Sequence, residues 1–262
     1  MANEFIYAWL DIRNFFVTCE QYSNPEYRGK PVVVYNECEK EQHDGSIKKY
    51  QKIISMSKEA KERHGISRES YMDDAKRISD VILIKSSKSK REEYEKIADQ
   101  VYEKCRDYVE NEGYSISKPY IDDIFMKLPK DLDVAINITS EVKKLYKEFG
   151  FDLATGISFN KDYAHIAAKW SKLYGLTYFG RGFAKRVIYK RKVKEFPGIG
   201  SKSKEKLNRA DIHTIGDFAN TPLDFIINTL RGTLPEGKVM KIYYSILDIE
   251  PNNDQLELFE NK

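Results

Sequence analysis

Two adjacent carboxylates, Asp122 and Asp123, lie in Ser117-Lys-Pro-Tyr-Ile-Asp-Asp-Ile-Phe-Met-Lys-Leu128, an otherwise apolar run. Tyr120, Ile121, Ile124, Phe125 and Met126 favour an extended, half-buried segment. Carboxylates desolvated on such a segment are costly, and a divalent cation would offset the cost. A third carboxylate, Asp11, closes the run Glu4-Phe-Ile-Tyr-Ala-Trp-Leu-Asp-Ile12, which reads as a buried strand. Only folding can unite the three, because 122 − 11 = 111 residues separate them. Three carboxylates around two divalent ions about 4 Å apart are what phosphoryl or nucleotidyl transfer uses. Taken alone, the Asp-Asp pair also reads as a turn or edge strand with both Asp solvated.

A second constellation is cationic. Residues 184–194, Ala-Lys-Arg-Val-Ile-Tyr-Lys-Arg-Lys-Val-Lys, precede Phe196-Pro-Gly-Ile-Gly-Ser-Lys-Ser-Lys-Glu-Lys-Leu207. A Gly-rich turn (Gly198, Gly200) opening a Lys-rich helix (Lys202, Lys204) points backbone N–H groups outward, where they can hold a phosphate. The alternatives are an ordinary glycine turn and a solvated basic face. Together the two stretches read as a track for a nucleic-acid backbone.

The elements that position these groups follow from apolar spacing. Strands are predicted near 4–12, 32–34, 53–56, 81–84, across the Asp-Asp run, and at 152–158. Helices are predicted near 15–22, 58–64 (closed by Gly65), 71–78, 92–110, 132–149, 160–173, 212–219 and 223–230. Residues 36–52 are polar and aperiodic and read as a loop. Without 21–80, residues 1–178 fit a β-α-β-β-α-β sheet with helices on one face. The predicted class is α+β: a ferredoxin-like domain, a small α/β insertion and a helical C-terminal part.

Composition constrains less. Hydrophobic residues at 41% and aromatics at 13% suffice for a real core. A balance of 44 Lys+Arg against 41 Asp+Glu, net +3, excludes no partner, so segregation of charge matters more than its sum. Cys19, Cys38 and Cys105 lack CxxC spacing and the chain has 4 His, which argues against zinc. An odd cysteine count without a signal peptide suggests a reducing cytoplasm, and no apolar run reaches membrane-spanning length.

Four blocks, in order over roughly residues 5–220, resemble the Y-family (DinB/UmuC-type) translesion DNA polymerases. Tyr7-Ala-Trp-Leu-Asp-Ile-Arg-Asn-Phe-Phe-Val-Thr-Cys-Glu20 with Asn24 to Val34 resembles the family's opening. Tyr120-Ile-Asp-Asp123 resembles its Ser-Ile-Asp-Glu strand. Gly156-Ile-Ser-Phe-Asn-Lys161 resembles its Gly-Ile-x-x-Asn-Lys helix, and Phe196 to Asp217 its thumb hairpin. The resemblance implies a palm (1–20 and 81–180), inserted fingers (21–80), a helix-hairpin-helix thumb (181–248) and a tail (249–262). It implies a monomer that adds deoxynucleotides to a DNA primer-template with two Mg2+ ions. Asp11, Asp122, Asp123 and the Ile12 carbonyl fall on the family's metal ligands. Phe15 and Phe16 fall at the nucleotide, with Phe16 either its steric gate against a 2′-OH or simple core packing.

The departures are equally specific. Asp123 replaces the usual Glu, one methylene shorter. The first-strand Asp-x-Asp becomes Asp11-Ile-Arg13. The Tyr and Arg that hold the triphosphate fall near Lys58 and Lys61, and Lys cannot reproduce the planar fork of Arg. The palm-helix Lys falls at His165, either a weakly charged triphosphate contact or a neutral helix residue. The chain ends too early for the family's little-finger domain. Gln255-Leu256-Glu-Leu-Phe259 resembles a sliding-clamp docking peptide, in which Leu258 and Phe259 would fill an apolar pocket and Gln255 would hydrogen-bond at its rim; the alternative is a chance Leu-rich helix end. A non-catalytic DNA- and clamp-binding adaptor on the same fold is the competing reading.

Overall fold

The computed structural model describes residues 5–41, 45–171 and 175–249. Eight strands are present among them: β1 (Phe5–Ile12), β2 (Val32–Glu41), β3 (Ile47–Met56), β4 (Ile82–Lys85), β5 (Ser115–Tyr120), β6 (Asp123–Pro129), β7 (Leu153–Ser158) and β8 (Leu176–Phe179). The helices are α1 (Phe15–Ser23), α2 (Lys58–His64), α3 (Met72–Lys76), α4 (Lys88–Asn111), α5 (Leu132–Glu148), α6 (Lys161–Trp170), α7 (Arg181–Ile188), α8 (Ser201–Arg209), α9 (Ile215–Asn220), α10 (Leu223–Leu230) and α11 (Glu236–Leu247).

One sheet has the order β5-β6-β1-β7-β8. Read as β1-α4-β5-β6-α5-β7, its first four strands form the anticipated β-α-β-β-α-β unit, with β8 added parallel to β7. Strand β6 alternates strictly: Ile124, Met126 and Leu128 are fully buried, while Asp123, Phe125 and Lys127 are half-exposed. A period of two puts one set into the core and the other on the open face. Pro119, which cannot donate to a ladder, sits in β5 at the sheet's edge.

Chain contacts divide into two compact units. The first comprises Met1–Asp11, Phe125–Asn137 and Ala154–Lys262. Its core joins Tyr163 and Ile166 of α6 to Ala184, Phe196, Leu207, Phe218, Ile226 and Ile246 of the helical part. Asn160 caps α6, accepting from the amides of Asp162 and Tyr163. Gly156 lets α6 lie directly on β7, since a Cβ there would sit 2.1 Å from the Ala164 carbonyl oxygen and 2.2 Å from the Ala168 nitrogen.

The second unit comprises Ile12–Ile124 and Ile138–Leu153. It holds the three-stranded sheet β3-β2-β4, in which β2 runs antiparallel to β3 and parallel to β4. Val33, Ile53, Met56, Ala60 and Met72 form its core on one side; Val17, Val32 and Val34 cluster with the partly buried Phe16. Helix α4 starts at Ser87, whose hydroxyl accepts from the Lys90 amide, and buries Tyr94, Ile97, Val101, Cys105 and Val109 at helical spacing. A buried carboxylate, Glu20, is compensated by the Tyr94 hydroxyl at 2.6 Å and Lys90 Nζ at 3.0 Å.

Three expectations change. Within 36–52, residues 36–41 and 47–52 are not loop: they are the outer parts of β2 and β3, solvated on both faces and so without an apolar period. The acidic pair is not inside a strand: Ile121 and Asp122 form the turn between β5 and β6, and Asp123 begins β6. Strand β8 and helices α7 and α11 lie where no element is predicted.

Candidate active site

The β5–β6 hairpin presents the acidic pair. Its two-residue turn, Ile121-Asp122, has no Gly or Asn, the usual mark of a tight hairpin. Among the described residues, the non-glycine positions with positive φ are Asn14, Asp211 and Asp248, so the turn is not of the primed type. The Ile12 amide donates to the Asp122 carbonyl at 2.8 Å, and the Arg13 amide to the Asp152 carbonyl at 3.0 Å. The main chain that leaves β1 is thereby tied to the acidic turn. Asp11 precedes that tie by one residue and shares a face of β1 with Tyr7 and Trp9 by strand alternation. Asp11, Asp122 and Asp123 are each half-buried, and none stands without a partner in the chain.

Among the described residues, no group of three or more His, Cys, Asp or Glu is gathered as a metal cage. The donor chemistry is that of a hard cation: carboxylate and carbonyl oxygens, with no thiolate or imidazole at the turn. Magnesium is ordinarily held by one or two carboxylates together with substrate phosphates, a mode that this donor set fits.

After β1 the chain turns through Asn14, in left-handed conformation at φ 53°, into α1. Phe15 is 3% exposed, its ring stacked on Phe151 at 5.8 Å, so its side chain is core and only its main chain can meet a ligand. Phe16 is partly exposed, edge-on to Phe15 at 5.3 Å and tilted on Tyr94 at 5.5 Å. Its neighbours fix the ring while leaving part of it accessible. Lys58 and Lys61 are exposed on α2, whose start is capped by Ser57 and whose end is closed by Gly65 at φ 65°. Lys58 pairs weakly with Glu62 at 3.9 Å.

His165 stacks on Trp9, ring centres 4.1 Å apart at 14°. Burial, then the charges of Lys169 and Lys161, lower its pKa to about 4. The imidazole is therefore neutral at neutral pH and offers no point charge. One turn earlier, Lys161 Nζ lies 4.3 Å from the centre of the Phe125 ring and 5.9 Å from that of Trp9. Lys161 was not among the expected ligands, although it ends the Asn-Lys motif. It lines a cleft of about 620 Å³ with Tyr7, Phe125 and Arg181. Arg181 lies 4.7 Å over Phe159 and 3.6 Å from Asp248. Alternation along β1 and β6 was the signal that could have placed Tyr7 and Phe125 on this open face.

The thumb hairpin is formed as expected. Gly198 has φ 87°, a conformation open to glycine, and a Cβ there would also press on Ile242. Gly200 is the N-cap of α8, Lys202 is exposed and Lys204 half-exposed, while Phe196, Ile199 and Leu207 are buried. The helix before the hairpin is a single 3-10 turn, Val193–Glu195. Gln255, Leu256, Leu258 and Phe259 lie outside the described residues. No helix among the described residues is long and apolar enough to cross a membrane.

The chain is similar to proteins described as DNA polymerase IV. That of Acetivibrio thermocellus is 26% identical over 221 residues, 84% of this chain and 52% of the relative. That of Streptococcus pyogenes serotype M5 is 28% identical over 220 residues, 81% of this chain and 56% of the relative. The chain thus spans about half the length of the curated relatives it matches. Among solved structures, the insertion ternary complex of Dbh DNA polymerase superposes with TM-score 0.72 at 20% identity, covering 94% of this chain and 69% of that one. DinB from Sulfolobus solfataricus superposes with TM-score 0.67 at 18% identity, covering 94% and 68%. These likenesses establish the fold. A family model, impB/mucB/samB, matches residues 10–169, more than half of the chain, and on that match the chain belongs to the impB/mucB/samB family.

Proposed function

We propose that this chain is a template-directed DNA polymerase of the translesion type, adding deoxynucleotides to a primer. The observation that carries the reading is the acidic β5–β6 turn tied to the end of β1, in a chain of this family. The names of the relatives point the same way. The proposed ligands for Mg2+ are Asp11, Asp122, Asp123 and the Ile12 carbonyl, and two bound ions would activate the attacking 3′-hydroxyl and neutralise the leaving pyrophosphate. Phe16, held by Phe15 and Tyr94, is the proposed wall against a ribose 2′-OH. Lys58 and Lys61 extend from α2 as point charges for the triphosphate.

His165 enters as a neutral stacking and positioning group, because its charge is lost well below neutrality. A cation on that helix is supplied instead by Lys161. The thumb turn at Gly198 and Gly200, with Lys202 and Lys204, is the proposed grip on the duplex backbone. The 255–259 peptide is the proposed tether to a sliding clamp, which would raise local concentration without altering the active site.

Primer extension with Mg2+ tests the reading. The wild-type chain should extend a primed template, and Asp122→Ala should abolish extension while remaining folded. If the wild type extends nothing, or Asp122→Ala extends equally, the catalytic reading fails.

A further inference from the structure

The outer half of the β2–β3 hairpin has no role in the reading above. Strand β4 pairs with β2 over Val32 to Tyr35. From Asn36↔Lys52 to Glu41↔Ile47 the described ladder has two strands. Such a ribbon is marginal in water, so its composition is not dictated by a core.

Directly opposed residues of an antiparallel ladder share a face. One face of the ribbon carries Asn36/Lys52, Cys38/Tyr50 and Lys40/Lys48. The other carries Glu37/Gln51, Glu39/Lys49 and Glu41/Ile47. The charges are therefore sorted: all three glutamates are on one face, and three of the four lysines on the other. The glutamates are partly neutralised on their own side. Lys85 Nζ lies 2.6 Å from Glu37, holding its carboxyl below the usual range, and Lys49 lies 3.3 Å from Glu39. Among the described residues, Lys40, Lys48 and Lys52 form no ion pair, and Tyr50 between them is 43% exposed. Along β2 the lysine face continues into Val32 and Val34, which cluster with Phe16.

We propose that this face binds single-stranded nucleic acid, with Tyr50 stacking on a base and Lys40, Lys48 and Lys52 meeting phosphates. An exposed aromatic among unpaired cations is the usual platform for a strand with unpaired bases. Continuity with the Phe16 cluster leads that strand toward the nucleotide position. Its identity as the template overhang rests on the proposed polymerase function; the binding itself does not.

The test is fluorescence anisotropy of a labelled dT20 oligonucleotide with the full chain carrying Asp122→Ala, so that no catalysis is required. Lys48→Ser and Lys49→Ser remove equal charge from opposite faces. Lys48→Ser should weaken binding and Lys49→Ser should not. Tyr50→Ala should weaken binding about tenfold and Tyr50→Trp should retain it. Removing Lys40, Lys48 and Lys52 together should flatten the slope of log K against log salt by about 2. Equal effects of Lys48→Ser and Lys49→Ser, or wild-type binding by folded Tyr50→Ala, would overturn the proposal. So would displacement of dT20 by a poly-glutamate peptide of matched charge, which would mark a general anion surface. Primer extension by the chain with native Asp122 separates this outcome from failure of the polymerase reading.

Discussion

Two hairpins of this chain, β5–β6 and β2–β3, treat charge in opposite ways. At β5–β6 the turn is two residues long, and its carboxylates sit where strand ends and the Ile12 amide hold the backbone. At β2–β3 the ladder runs well past its sheet, and its charges are exposed and sorted by face. The first concentrates like charge on a rigid frame, the arrangement that metal-assisted transfer requires. The second spreads opposite charge over a frame with little packing, which suits an extended and yielding polyanion. On the proposed readings, similar topology would serve two chemistries, and the difference is in what lies behind each strand.

The sharpest way to break that contrast is to remove charge from the rigid hairpin. Asp122→Ala should reduce primer extension by about a thousandfold or more, since the charge is needed at the transition state. Residual extension within tenfold of wild type would leave the two hairpins functionally alike. Stability gives a second contrast. Gly156→Ala forces a Cβ into the backbone of α6 and should cost about 3 kcal/mol or more, read as a lower urea midpoint. Tyr50→Ala, exposed on the ribbon, should shift stability by about 0.5 kcal/mol or less. Comparable losses in the two variants would show that the ribbon is part of a core.

Phe16→Ala sharpens the link between ribbon face and nucleotide. Ribonucleotide use relative to deoxynucleotide should rise about tenfold, or about 1.4 kcal/mol of lost discrimination, in competitive incorporation. An unchanged ratio would make Phe16 packing alone. The smallest effect concerns His165. Its folded pKa of about 4 lies below the ordinary 6.5, so the unfolded chain takes up the proton first as pH falls. Its contribution to stability is present above about 6.5 and lost toward pH 4. Urea midpoints at pH 7, 5.5 and 4 should show a shallower acid loss for His165→Phe, which keeps the ring on Trp9 but cannot titrate. Nucleotide affinity should be flat between pH 6 and 8, and a fall there that vanishes in His165→Phe would restore a charged role.

Much of the palm was legible because its signals are local. The β-favouring run of β6, helical spacing in α4, and the start of α6 at Asn160 each act over a few residues. The Gly65 helix stop and the Gly198 turn were likewise readable from residue type. The acidic turn stood open between two readings, because Asp favours turns while the apolar flanks favour strand and no Gly or Asn marks a tight hairpin. The ribbon was not legible, because a ladder solvated on both faces satisfies its backbone across strands and needs no apolar period. His165 stood open between two states until its stack on Trp9 and the nearby lysines showed it neutral.

Residue type alone determined which side chains can chelate, stack or carry charge, since those are properties of the groups. Tertiary structure decided which of them are brought together, because desolvation, strand register and the tie from Ile12 to Asp122 exist only when distant segments meet.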